Sequence, residues 1–220
     1  MSNTLLKYCG IKSRDDYFKA RQSKANYLGF IFADSKRQVQ SKQVASWLKE
    51  NPPGDKKLVG VFVNQAITEI VQITKEVHLD VIQCHGEEEP SFIKELKEST
   101  NAEIWKVIHH KSQEQFNLAP YKDLIQGIVV DSKKGSQYGG TGTRFDWEAI
   151  PHYQRQAKEI SIPCFIAGGV NGETIEELLS YQPEGIDISS GIETDFSKDV
   201  AKMNFIESKV KHDETSTESR

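Results

Sequence analysis

The chain has 220 residues, 37% of them hydrophobic, and a formal net charge of -4; it is long enough to bury a sizeable core, and one domain is expected. The slight acidic balance supplies no basic field for a nucleic-acid backbone or an anionic membrane, so the expected partner is a small molecule, with neither nucleic acid nor membrane bound. No apolar stretch of about 18 residues occurs, and MSNTLLKYCG lacks the basic start and apolar core of a signal peptide, which points to a cytoplasmic protein.

In chain order, the apolar run LLKYCGI (5–11) is followed by helical spacing in SRDDYFKARQSK (13–24). NYLGFIF (26–32) precedes SKQVASWLKEN (41–51), KLVGVFV (57–63) precedes AITEIVQITKEV (66–77), and LDVIQCH (79–85) precedes EPSFIKELKEST (89–100). Then come AEIWKVI (102–108), LIQGIVVD (124–131), IPCFIAG (162–168) with NGETIEELLSYQ (171–182) behind it, and GIDISSG (185–191). Short apolar, β-branched runs read as buried strands, and the segments between them carry helix-start residues and a helical period. Eight strands alternating with helices predict an α/β fold, a single-domain (β/α)8 or TIM barrel over residues 1–206, with 207–220 a polar tail that frays. An open doubly wound sheet, the alternative, would use fewer strands and a GxGxxG turn after the first, which KYCGIKSRDD lacks.

Barrel enzymes carry their sites at the carboxyl ends of the strands, so polar residues at those ends become candidates. They are Cys9, Arg37, Asn64, His85, Asp131, the Gly168-Gly169 pair and Ser189-Ser190-Gly191. The turns AGGVNGET and SSGIETDF follow strands seven and eight, and Gly139, Gly140 and Gly142 follow strand six. Glycine admits a ligand close to the main chain, and unpaired amides at a helix start favour an anion, so a phosphate monoester fits. GGTGTR lacks the Lys-Ser/Thr ending of a nucleotide phosphate loop.

Alternation along the first strand places Lys7 beneath Cys9 if Cys9 faces the mouth. Core filling is the commoner fate of a cytosolic cysteine and is the other reading of Cys9; Cys9, Cys84 and Cys164 lie far apart with no CxxC spacing, which suggests neither a disulfide framework nor a structural zinc site. Asp131 ends GIVVD, where a carboxylate is costly unless it caps a turn, pairs or meets a substrate. Arg37 is either a solvated loop charge or the grip on a ligand carboxylate. His85 suits a hydrogen-bonding role in the site; second ligands for a metal are missing. Asp187 either touches a substrate hydroxyl or pairs with a lysine such as Lys7. Asp146-Trp147 reads as a helix cap with its packing residue.

KYCGI, GFIFADSKR, VGVFVN, VIQCHGEE, the stretch from Asp131 to GGTGTRFDW, AGGVN and DISSGIE, in that order from about Lys7 to Glu193, resemble the motifs of phosphoribosylanthranilate isomerases of tryptophan biosynthesis. The resemblance implies an Amadori rearrangement of N-(5-phosphoribosyl)anthranilate without cofactor or metal, by a monomer or homodimer. It implies further that Cys9 is the general base, Asp131 the general acid and Arg37 the holder of the anthranilate carboxylate. Unperturbed Asp and Cys side chains would populate that productive pair at only about 3 in 100,000 at neutral pH. The site must retune at least one of them, and Lys7 is the candidate to stabilise the thiolate. Tyr8 and Cys84 stand where the family's pattern has aliphatic residues. Indole-3-glycerol-phosphate synthase, which shares the barrel, is expected to carry catalytic lysines and a longer amino-terminal extension. A non-catalytic phosphosugar-binding barrel is the competing class.

Overall fold

The computed structural model describes residues 4–110, 116–134, 137–138 and 145–216. Its eight long strands are β1 (Leu5–Tyr8), β2 (Tyr27–Ile31), β3 (Lys57–Phe62), β4 (Val81–Cys84), β5 (Glu103–His110), β6 (Gly127–Lys134), β7 (Cys164–Ile166) and β8 (Gly185–Ile188). All eight sequence windows are strands. Neighbours pair in parallel from β1 to β5 and from β6 through β7 and β8 back to β1. A parallel pairing of β5 with β6 closes the ring, as the barrel reading requires and the open sheet does not.

The helices are α1 (Arg14–Gln22), α2 (Ser41–Glu50), α3 (Ile67–Val77), α4 (Pro90–Ser99), α5 (Ile150–Glu159), α6 (Ile175–Ser180) and α7 (Val200–Ser216). Local chemistry starts several of them. Ser13 accepts from the Asp16 amide at the head of α1, Gln40 and Gln43 form a reciprocal box at α2, and Pro90 occupies the first turn of α4. Asp146 accepts from the Glu148 amide while Trp147 is buried, so the cap reading of that pair holds; the short 3-10 turn Trp147–Ala149 then leads into α5. Two expectations need correction. Among the described residues the β5–β6 connection holds a single 3-10 turn, Ala119–Tyr121, in place of a full helix. The polar carboxyl segment also does not fray from 207: α7 continues to Ser216, with Glu207 and Val210 buried. Glu207 accepts from the Tyr8 hydroxyl at 3.1 Å and from the Lys24 amide at 3.1 Å, tying the last helix to the first strand. Tyr8, unusual at its position, thereby supplies a polar anchor that an aliphatic residue would not. No described helix is long and apolar enough to cross a membrane.

Alternation sorts each strand into two faces. Outward residues such as Leu28, Phe30, Phe62, Ile82, Cys84, Ile104, Ile128 and Ile186 join the helices in one large core. Inward residues at the amino-terminal end form a second cluster around Tyr27, Trp105 and Phe165, with ring centroids 4.9 Å (Tyr27–Trp105), 5.5 Å (Tyr27–Phe165) and 4.6 Å (Trp105–Phe165) apart. Three aromatics fit because two neighbouring strands carry glycine. A Cβ at Gly127 would come within 2.9 Å of Trp105 Cδ1, and one at Gly185 would overlap the Phe165 ring. The plug seals one end of the barrel and leaves the other for chemistry. Gly185→Ala is expected to overpack it and destabilise the protein by about 1–3 kcal/mol; an unchanged midpoint in urea denaturation would show that the ring has room to move.

Candidate active site

Toward the carboxyl end the inward positions turn polar. β1 continues from Leu5 through Lys7 to Cys9, β4 from Val81 through Gln83 to His85, β6 through Val129 to Asp131, and β8 from Gly185 through Asp187 to Ser189. Of these, Cys9, Gln83, His85, Asp131, Asp187 and Ser189 line a cavity of about 900 Å3 together with Arg37, Gly168, Gly169, Ser190, Gln65 and Phe196, a volume suited to a small metabolite.

Lys7 and Asp187 are register partners on β1 and β8, and their side chains meet at 2.7 Å. Lys7 is fully buried and Asp187 nearly so. This is the pairing with a lysine that the sequence left open, and it costs little only while both charges are present; removing one partner of such a pair costs about 3–5 kcal/mol. Burial pulls the Lys7 ammonium down, but Asp187 and Cys9 more than offset it and hold it above the usual lysine range. Gly29 makes the space for the thiol, because a Cβ there would sit 2.8 Å from Cys9 Sγ. Burial raises the Cys9 thiol; Lys7 opposes this, Asp187 adds to it, and the outcome lies above the ordinary cysteine range. Lys7 thus acts on the thiol in the expected direction, toward the thiolate, but it does not outweigh burial. Asp187 already occupies the Lys7 ammonium, and desolvation of the thiolate dominates.

Asp131 is buried at the mouth, its Oδ1 accepting from the Ser132 amide at 2.7 Å and its Oδ2 3.5 Å from His85 Nε2. Gly168, with φ at +78°, permits that placement: a Cβ there would lie 2.8 Å from Asp131 Oδ1 and 2.8 Å from Ser132 Oγ. Gln83 Nε2 lies 3.2 Å from His85 Nδ1. With the amide donating, the neutral ring carries its proton on Nε2, the side facing Asp131. Behind it, His109 is lowered to about 4 by burial and by His85, and its Nε2 sits 2.9 Å from the His85 carbonyl.

Arg37 is not a solvated loop charge. It is buried, passes close to Gly10, and binds Glu193 through two forks, Nε to Oε1 at 2.9 Å and Nη2 to Oε2 at 2.7 Å. A Cβ at Gly10 would meet Arg37 Cδ at 2.5 Å. Glu193 also accepts from Lys198 Nζ at 2.8 Å, and Lys198 donates to the carbonyls of Cys9 (2.6 Å) and Ser189 (3.1 Å). Burial alone would raise the Glu193 carboxyl, but the two cations hold it below its usual range; burial keeps Lys198 below the lysine range. Glu193 and Lys198 went unnoticed in the sequence. Glu193 lies two residues beyond the Ser-Ser-Gly turn and could have been flagged as a polar residue near a strand end, whereas nothing local marks Lys198. Lys106 and Glu88, also unflagged, form a buried pair at 3.1 Å on the outer side of β5.

Gly168 and Gly169 line the cavity with left-handed backbone, beside Ser189 and Ser190. Gly191 is not among the cavity-lining residues, and its missing Cβ leaves room for the Val170 carbonyl oxygen. Asn64 is structural, its Oδ1 accepting from the Glu87 amide. Gly139, Gly140 and Gly142 lie outside the described residues. Gln65 Oε1, Gln83 Oε1, His85 Nε2, Asp187 Oδ1 and Ser189 Oγ are buried without a hydrogen-bond partner among the described residues, and all five side chains line this one cavity. Since buried polar groups are nearly always paired, such a concentration marks where a polar ligand completes the bonding.

The family model described as N-(5'phosphoribosyl)anthranilate (PRA) isomerase matches residues 6–209. The chain is 49% identical over 211 residues to an N-(5'-phosphoribosyl)anthranilate isomerase of Geobacillus thermodenitrificans, covering 96% of each protein. Its structure is similar to that of phosphoribosyl anthranilate isomerase from Thermus thermophilus, with a TM-score of 0.79 and 23% identity over 95% of this chain and 99% of that one. It is similar also to a phosphoribosyl anthranilate isomerase in complex with reduced 1-(o-carboxyphenylamino)-1-deoxyribulose 5-phosphate, with a TM-score of 0.75 and 24% identity over the same shares. At these identities the solved structures speak for the fold, and the sequence matches for descent: the chain belongs to the N-(5'-phosphoribosyl)anthranilate isomerase family.

Proposed function

We propose that this protein converts N-(5-phosphoribosyl)anthranilate into 1-(2-carboxyphenylamino)-1-deoxyribulose 5-phosphate by general acid and base catalysis. The observation that carries the reading is the convergence of Cys9, Asp131 and Arg37 on one polar cavity. Asp131, protonated, donates to the furanose ring oxygen as the bond from that oxygen to C1 breaks, and the anilino nitrogen shares its electron pair with C1. Cys9, as thiolate, removes the proton from C2 to give the enolamine, which tautomerises to the ketone. Arg37 meets the anthranilate carboxylate through guanidinium N–H groups not engaged by Glu193. The main chain at Gly168-Gly169 and Ser189-Ser190 receives the phosphate, and Asp187 Oδ1 and His85 Nε2 serve the sugar hydroxyls.

Turnover is followed by the loss of the fluorescence of the anthranilate adduct. Cys9→Ala and Asp131→Asn are expected to lower the turnover number by about 100-fold or more with much smaller effects on the Michaelis constant. Near-normal turnover in either variant removes that residue as a proton carrier.

The raised Cys9 thiol also sets a pH dependence. Below its pKa the thiolate fraction of Cys9 climbs about tenfold per pH unit toward the alkaline side, whereas kcat/KM does not follow it alone, because the mechanism needs Asp131 protonated at the same time. Lys7 lowers the thiol more than Asp187 raises it, so the pair of substitutions Lys7→Gln with Asp187→Asn should move the rise in thiolate to higher pH. Alkylation by iodoacetamide against pH reads that group directly, since Cys84 and Cys164 are buried outside the cavity, with thiols also raised by burial. An alkylation profile that does not move in the double variant would eliminate Lys7 as the group tuning the thiol.

A further inference from the structure

The connection after β8 folds back as a small antiparallel hairpin, Glu193–Thr194 against Ser197–Lys198. Its two turn residues, Asp195 and Phe196, both have left-handed backbone, with φ at +49° and +60°. Two such residues form the type of turn that Asn-Gly fills most easily, and a bulky side chain at positive φ is uncommon. Phe196 is also 55% exposed, the most exposed of the large hydrophobic side chains among the described residues. Local backbone preference and water both disfavour phenylalanine here, and among the described residues Phe196 belongs to neither core cluster.

The ring nevertheless has a defined setting. It lines the same cavity as Cys9 and Asp131, and its hairpin is held at the base: Glu193 grips Arg37, Lys198 grips the Cys9 carbonyl, and the Lys198 amide and the Ser197 hydroxyl both donate to Asp16. Arg37 Cζ lies 6.0 Å from the ring centroid, Lys36 Nζ 6.0 Å and Lys12 Nζ 5.5 Å. An aromatic face bordered by cations is complementary to a ligand that is both aromatic and anionic, and not to a plain phosphosugar. A benzoate whose carboxylate accepts from Arg37 can turn its own ring toward Phe196, within the roughly 4.5–7 Å range in which aromatic pairs attract.

We propose that Phe196 is a specificity residue that receives the aromatic ring of the substrate beside Arg37, and that it selects aminobenzoate adducts over other phosphoribosylated amines. This rests on the substrate assignment made above. Isothermal titration separates the two halves of the ligand. Reduced 1-(o-carboxyphenylamino)-1-deoxyribulose 5-phosphate reports on the whole ligand, and ribulose 5-phosphate reports on the sugar and phosphate alone. Phe196→Ala is expected to weaken the first by about tenfold while leaving the second within about twofold, and Phe196→Trp to retain both affinities. With the natural substrate, the Michaelis constant of Phe196→Ala should rise more than its turnover number falls. Unchanged affinity for the reduced product analogue in Phe196→Ala overturns the proposal. So does an equal loss for both ligands, which would mean that the side chain serves only the shape of the hairpin or shields Arg37. Failure of the wild-type protein to isomerise the substrate would instead overturn the functional reading.

Discussion

In a closed ring of parallel strands, every second side chain points into a space with no sideways exit, and that constraint shapes the whole molecule. With β5 paired to β6, inward residues have two choices: fill the interior or reach one of its ends. Tyr27, Trp105 and Phe165 fill the amino-terminal end and depend on the bare backbone of Gly127 and Gly185 to do so. Polar residues at later positions on the same faces then emerge together at the other end. Cys9, His85, Asp131, Asp187 and Ser189 come from four strands far apart in sequence, and the barrel brings them to one cavity through a two-residue period.

Placing charge in such an interior requires compensation, and two networks flanking the thiol supply it. Below Cys9, Lys7 and Asp187 neutralise one another across adjacent strands. Above it, Lys198 holds the Cys9 carbonyl and shares Glu193 with Arg37. Cys9 therefore sits between two ion pairs, its backbone tied to one and its thiol beside the other. The two lysines are already engaged with carboxylates, so neither acts as an isolated positive charge. That is why burial outweighs them and the thiol is raised. The same networks fix where Arg37 presents its remaining donors and where the hairpin tip carries Phe196.

Much of this was legible in the chain. Apolar, β-branched runs in the eight windows and the helical spacing between most of them are local properties, and they led to the barrel and to the strand-end positions of Cys9, His85, Asp131 and Ser189. The Asp146 cap was legible for the same reason. What escaped was pairwise. Arg37 looks like an ordinary loop cation until Glu193, 156 residues later, folds onto it. Lys198 has no motif at all, and nothing local in the sequence shows that the bare backbone of Gly191 makes room for the Val170 carbonyl. The polar look of residues beyond 206 hid a helix that continues because Glu207 and Val210 have partners on its inner face.

By itself the sequence determined the periodicities: two along the strands, which decides which residues share a face, and 3.6 along the helices, which decides what each helix buries. Its motifs, read in order, also pointed to the family and to the residue types of an acid, a base and an anion cradle. Tertiary structure alone decided the charge states and the partners. A thiol's ionisation depends on how much water its neighbours exclude and which charges stand within a few ångströms, and those neighbours, Lys7, Asp187 and Lys198, become neighbours only when the ring closes.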